Sequence, residues 1–459
     1  MVFHWIDWLP LSFYFLLLIY LTWRGRSSDN NEVSFLLSGR KMTLPAFVAT
    51  LVSTWYGGIL GVGEYSVQFG LAQWFLFGFP FYVFALLYAW FLAGPIREHA
   101  GLTIPEAMRM SYGKKASVTG AAAVFLLVSP APYILMLGMI AEFIFGGGWL
   151  IYSVIVALFS VIYVSYGGFG AVVRTDMLQV ALMYGGFLIL ATAAWSYYGS
   201  PLQLWSDLPD THTSLTGGHS VDYILVWFFI ALWTFVDPSF HQRSAAADSP
   251  ETAKKGITIS VGFWMVFDTL TLLCGLYAFV ILSDLENPIL AYPELSAYLL
   301  GPGLNGLFFT ALIAVIMSTL DSFLFLSGQT LGRDMLRPLF PNSNPVKLTR
   351  IAVVIAAIIA LVMIMIFPSV IELWYVIGSI LVPVLLIPIL GVYIPFFRVK
   401  PGAAMPMMIF TLITASGWML AGILTGETDL YSYAWLGVEP FYPGLGVSVV
   451  VWILFRERM

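Results

Sequence analysis

The chain has 459 residues, 60% of them hydrophobic and only 10% charged, whereas an ordinary soluble domain is about half apolar and about one quarter charged. A mean hydropathy of +0.89 excludes a water-soluble fold: backbone polar groups must be paired inside helices or a closed barrel, and long apolar runs in place of short alternating ones choose helices. The net charge of −5 without a Lys/Arg cluster excludes a surface for nucleic acid, and the single cysteine, Cys274, excludes an intrachain disulfide, a CxxC redox pair and a thiolate metal cluster.

No Lys or Arg precedes Arg24, while Arg24 and Arg26 follow the first apolar run. A secretory signal has the opposite order, so the first segment is expected to remain as a helix with its N-terminus outside. Apolar stretches of adequate length predict helices over 8–23, 44–69, 73–96, 116–145, 148–167 and 171–197, then over 221–241, 256–284, 302–332, 348–367, 370–394, 403–425 and 433–455. The fold class is all-α integral membrane, with about thirteen transmembrane helices.

With the N-terminus outside, alternate connections face the cytoplasm and should carry the excess of Lys and Arg. They carry all 20: Arg24, Arg26, Arg40 and Lys41, then Arg97, Arg109, Lys114, Lys115, Arg174, Arg243, Lys254 and Lys255. Arg333, Arg337, Lys347, Arg350, Arg398, Lys400, Arg456 and Arg458 complete the set. The outer connections 198–222 and 284–296 hold none, and Trp149, Trp205 and Tyr292 stand near membrane edges as an aromatic belt does. The expected setting is a multi-pass plasma-membrane protein, in the inner membrane if bacterial, with a cytoplasmic C-terminus.

The second helix carries Ser53-Thr54-Trp55-Tyr56-Gly57-Gly58, and the seventh carries Asp237-Pro238. Alone, such glycines read as close packing and such a proline as a kink. Here they open two five-helix blocks, 44–197 and 220–396, flanked by 1–43, an external loop 198–219 and two peripheral helices in 397–459. Five is odd, so the blocks are inverted in the membrane. Broken helices in corresponding positions of inverted repeats free backbone groups at mid-membrane for ions and small solutes.

In the ninth helix Ser318, Thr319, Asp321 and Ser322 stand in an otherwise apolar run, with Ser318, Asp321 and Ser322 on one face. The plain alternative for Ser and Thr is back-bonding to the preceding turn. An intramembrane Asp shifts the balance toward function, and several oxygen ligands suit a hard cation such as Na+. Asp176 reads by itself as a helix N-terminal carboxylate favoured by the dipole. Asp268 and Glu142 are nominally intramembrane with no evident partner, and Glu64 and Glu372 lie near outer helix ends where hydration is expected.

At these residues the chain resembles the sodium:solute symporter family, which includes proline, pantothenate, sugar and sialic acid symporters. FLLSGRKM, STWYGGILGVGEYSVQFGLAQW, YGGFGAVVRTDMLQ, DPSFHQRSAAADS and IMSTLDSFL follow in family order over nearly the whole chain. The resemblance implies a leucine-transporter-type fold with a five-plus-five inverted repeat. It also implies a sodium site at the Ser318 and Thr319 hydroxyls and the carbonyls of Val315, Leu51 and Thr54. A second sodium or proton site is implied at Asp176, Ser318, Asp321 and Ser322, where an Asp replaces a Ser of some members. Solute is expected between Ser53, Trp55, Tyr56, Gly57, Gly58, Tyr133, Trp233, Thr234 and Asp237. The sugar-transporting members' Glu-Gln pair is replaced by Gly57 and Gly58, which disfavours a sugar.

The expected function is secondary active transport: sodium-coupled symport of a small amino acid, carboxylate or vitamin-like solute into the cell by alternating access. The partners are that solute, sodium ions and the lipid bilayer, with no required protein partner evident. A proton-coupled symporter is the nearest alternative, motivated by Asp321, Asp268 and Asp176. A membrane sensor is a second one, disfavoured because the sequence ends at Met459 soon after the last helix. An enzyme is not expected: there is no HExxH, no GxSxG and no His near a candidate nucleophile.

Overall fold

A computed structural model describes residues 3–24, 32–99, 101–426 and 432–457. Arg26 and Arg458 of the charge pattern lie outside the described residues. Among the described residues eleven helices are long and apolar enough to cross a membrane, and two shorter apolar helices accompany them. In chain order these are α1 (Trp5–Thr22), α2 (Leu44–Phe69), α3 (Ala72–Phe91), α4 (Lys114–Phe145), α5 (Trp149–Ser165), α6 (Gly168–Tyr198) and α7 (Val221–Ala246). They continue as α8 (Pro250–Ile281), α9 (Leu304–Leu336), α10 (Val346–Ile366), α11 (Val370–Tyr393), α12 (Pro401–Thr425) and α13 (Phe441–Phe455).

Local chemistry sets many of the boundaries. Ser249 caps α8 by accepting from Thr252 N–H at 3.1 Å, with Pro250 in its first turn. Asn344 and Ser369 cap α10 and α11 in the same way. Between α5 and α6 the chain stays helical but turns at Gly168, whose φ of 65° no β-carbon tolerates well.

Burial sorts the helices into an inner and an outer set. About the whole of α9 is enclosed, 94% of its apolar window, against 28% for α1 and for α12. Helices α2, α4 and α11 join α9 inside, and α9 packs against α6, α2 and α10.

The interruptions position the site. Helix α2 breaks in a tight turn at Tyr56–Gly58, and α7 divides into Val221–Ile230, Trp233–Val236 and Pro238–Ala246. Helix α4, expected to be continuous, is also broken: it stops at Leu127 and restarts at Ala131 around Pro130 and Pro132, since proline removes a helical donor. The carbonyl of Val128 freed there accepts the Ser327 hydroxyl of α9 at 2.7 Å. Glu372, expected to be hydrated, is half-buried and accepts the Tyr433 hydroxyl.

Candidate ion and solute site

The first half of α2 ends at Trp55, which leaves its last carbonyls without helical donors. One of them is taken across the helix interface: the Thr319 hydroxyl of α9 donates to the Thr54 carbonyl at 2.7 Å. Gly57 permits this approach, because a β-carbon there would drive into the Thr319 side chain, with Cγ2 only 2.8 Å away. Leu51, Val315, Ser318 and Thr319 are all buried beside this contact. Val315 lies in unbroken helix, so its carbonyl offers a second lone pair beyond its helical bond.

Ser318 turns from Thr319 toward α6, donating to Asp176 Oδ1 at 2.7 Å, and the Thr50 hydroxyl donates to Asp176 Oδ2. Asp176 lies more than two turns beyond Gly168 and is wholly buried. It is therefore no helix-end carboxylate, since dipole effects fade within the first turn.

Arg243 corrects the charge pattern. Instead of a cytoplasmic connection, it occupies the last segment of α7, wholly buried, because the helix resumes at Pro238 and runs on to Ala246. Its Nη2 donates to Thr54 Oγ1 at 2.5 Å and to Thr50 Oγ1 and Ser322 Oγ at 3.1 Å each, and lies 3.7 Å from Asp176 Oδ2. Three of these neighbours, Thr54, Ser322 and Asp176, belong to the ion-site region that the sequence marks out. The available signal was its place inside DPSFHQR, next to a proline break in an apolar run.

Asp321 departs from the expected second-site grouping. Ser318 engages Asp176, and Ser322 engages Arg243 and approaches Thr54 at 3.3 Å. Neither Asp321 oxygen has a hydrogen-bond partner among the described residues, and the group lies within electrostatic reach of Tyr163 and Tyr14. Helical spacing places it on a shared face, but its carboxylate makes no hydrogen bond to Ser318, Ser322 or Asp176.

Beside the ion-site residues a cavity of about 120 Å³ opens. Trp55, Tyr56, Gly58, Tyr133, Trp233 and Asp237 line it, together with Thr54. Ser53, Gly57 and Thr234 are not among its lining: the Ser53 hydroxyl bonds back to the Thr50 carbonyl at 3.3 Å, Gly57 faces Thr319, and Thr234 is buried in the α7 segment. Gln73, Asp268, Trp227, Phe77, Phe81 and Trp374 complete much of the wall and were not anticipated. By sequence Asp268 is an intramembrane acid without an evident partner; Tyr82 of α3 supplies one through its hydroxyl.

The sodium:solute symporter family matches residues 35–410. The chain belongs to that family. This symporter is a multi-pass membrane transporter that couples a small solute to sodium, and it is not an enzyme. It is 22% identical to an osmoregulated proline transporter of Bacillus subtilis over 97% of this chain and 93% of the relative. To a sodium/proline symporter of Haemophilus influenzae it is 25% identical, over 91% and 88% of the two chains. A sodium/glucose cotransporter of Vibrio parahaemolyticus is 30% identical over a shorter stretch, 58% of this chain and 56% of that one. Among solved structures, a substrate-bound, outward-open Na+-coupled sialic acid symporter superimposes with a TM-score of 0.80 at 16% identity over 98% of both chains. MhsT in complex with L-phenylalanine gives 0.56 at 14% identity over 94% and 99%. The symporter thus has the leucine-transporter-type fold. Among the described residues no three His, Cys, Asp or Glu side chains gather as a metal centre, so a coupling ion must rely on hydroxyls, carbonyls and single carboxylates.

Proposed function

We propose that sodium binds at the α2 break, held by the Ser318 and Thr319 hydroxyls with the carbonyls of Thr54, Leu51 and Val315, and that the solute binds in the adjoining cavity. The observation that carries this reading is the double role of Thr54. Its carbonyl meets Thr319 while the residue also lines the cavity, so an ion that reorganises the break reshapes the solute wall. Sodium and solute affinities are then coupled reciprocally. Alternating access with the N-terminus outside and the C-terminus in the cytoplasm carries both inward.

The test is the melting temperature of the purified symporter in detergent against sodium, with potassium as control, because a ligand that binds only the native state raises stability. A sodium-specific rise that disappears in Ser318→Ala/Thr319→Ala is expected. Absence of any sodium effect across pH would overturn the ion site.

A second ion reading is favoured by one observation: the oxygens of buried Asp321 have no hydrogen-bond partner among the described residues, with the Tyr163 hydroxyl nearby. An ionised carboxylate with no partner is costly inside a membrane protein, and a proton or a second cation removes that cost. Uptake driven by a pH gradient in the absence of sodium, and lost in Asp321→Asn, would support proton coupling there; uptake indifferent to Asp321→Asn would exclude it.

A further inference from the structure

The cavity is chemically one-sided. Two carboxylates, Asp237 and Asp268, line it, and no Lys, Arg or His does. Asp237 Oδ1 accepts Ser239 N–H at 2.7 Å as the cap of the α7 half-helix, so the positive end of that half-helix meets part of its charge. Asp268 lies inside the long α8 helix with no helix end to answer its charge; the Tyr82 hydroxyl donates to it and the Tyr56 hydroxyl lies close by. Each carboxylate retains acceptor capacity beyond these bonds.

Two further polar groups in the wall are free to meet a ligand. Gln73 is 1% exposed, yet neither its amide nitrogen nor its amide oxygen has a hydrogen-bond partner among the described residues. The Trp227 indole N–H is likewise buried and unpartnered among them. Both line the cavity, and buried polar groups ordinarily find partners. Trp55, Trp233, Trp374 and Tyr133 also line the cavity, the kind of aromatic faces that attract an ammonium group.

The charge balance around the break points the same way. Asp176, Asp237 and Asp268 are buried there with Arg243, whose single guanidinium is engaged by Asp176 and the hydroxyls around it. An anionic solute would add to an excess of negative charge in a medium that screens poorly. A cation would relieve it.

We propose that the solute is a small organic cation, a quaternary ammonium or protonated amine without a carboxylate of its own, held between Asp268 and Asp237 against the tryptophan wall. This deepens the cavity assignment made above and rests on it. Gln73 and the Trp227 N–H then hold a neutral polar substituent, such as a hydroxyl, on the same solute.

The experiment uses the full chain in detergent at saturating sodium, with melting temperature and isothermal titration as readouts. The probes are tetramethylammonium, choline, the neutral isostere of choline in which a tert-butyl group replaces trimethylammonium, and glycine betaine, which adds a carboxylate. The expected result is a further rise with the two cations, none with the isostere and a much weaker one with betaine. Asp268→Asn should weaken cation binding at least about tenfold, the scale of one lost charge contact, while its own sodium-dependent rise shows that it is folded. Asp268→Glu should restore part of the affinity. Stabilisation by betaine or by the neutral isostere in preference to the cations, or cation binding unchanged in Asp268→Asn, would overturn the proposal while leaving the sodium response intact. Loss of the sodium response in the unmodified chain would instead strike the ion-site reading.

Discussion

The guanidinium of Arg243 and the carboxylate of Asp176 face each other at 3.7 Å with both side chains wholly buried. Arg243 also holds Thr50, Thr54 and Ser322, so one side chain ties α7 to α2, α6 and α9. Removing one partner of a buried pair leaves an uncompensated charge, which costs about 3–5 kcal/mol. Asp176→Asn is expected to lower stability by that order in sodium-free detergent. The double variant Asp176→Asn/Arg243→Met should recover more than half of the loss, because with both charges gone no uncompensated charge stays buried. Chemical unfolding of the single and double variants side by side checks this; equal losses in both would show that packing and not charge compensation holds the cluster.

Thr319 donates to the Thr54 carbonyl across the helix break, and its hydroxyl is one of the proposed sodium ligands. Thr319→Val keeps the shape and removes the oxygen. Sodium affinity should fall about tenfold or more, the scale of one lost ligand contact, with solute affinity at limiting sodium falling by the same factor through linkage. Binding of each ligand titrated at several fixed levels of the other measures both factors. Unequal factors would separate the Thr54 contact from coupling.

At Gly57 a β-carbon has no room against Thr319. Gly57→Ala must push the α2 break away from α9, with an overpacking cost of about 1–3 kcal/mol. The expected outcome is a lower melting temperature and a sodium response shifted to higher concentration. Gly446, where a β-carbon meets nothing within 4 Å, supplies the matched control: Gly446→Ala should leave the sodium response unchanged.

Much of this architecture is legible in the sequence because membrane spans are written in the length of apolar runs, and a Gly-Gly or Asp-Pro pair inside such a run has few uses. The unread part depends on side-chain direction. Ser318, Asp321 and Ser322 share a face by spacing, yet Ser318 reaches Asp176, Ser322 reaches Arg243, and Asp321 reaches neither by hydrogen bonding. Charge rules make Arg243 a loop cation because they treat each Arg near an apolar edge alike, whereas a half-helix restarting at Pro238 carries it inward. Asp268 and Gln73 became site residues only when α8 and α3 were brought to the α2 break.

Away from the centre, Glu439 in the connection before α13 is 5% exposed and accepts the hydroxyls of Tyr375 and of Ser432, the latter at 2.7 Å. Burial raises its carboxyl above the ordinary value of 4.5; the hydroxyls of Tyr375 and Ser432 offset part of that rise, and nearby Asp222 adds to it. A carboxyl raised in the folded state favours the protonated fold. Its contribution is fully present below the ordinary value and is lost as pH rises through the raised one. Glu439→Gln holds the side chain neutral at every pH, so the melting temperature of the variant should exceed that of the parent increasingly as pH climbs through this window and then level off. Melting curves taken in small pH steps test it: a constant difference between the two proteins would mean that the Tyr375 and Ser432 bonds, and not the charge of Glu439, set the stability of this connection.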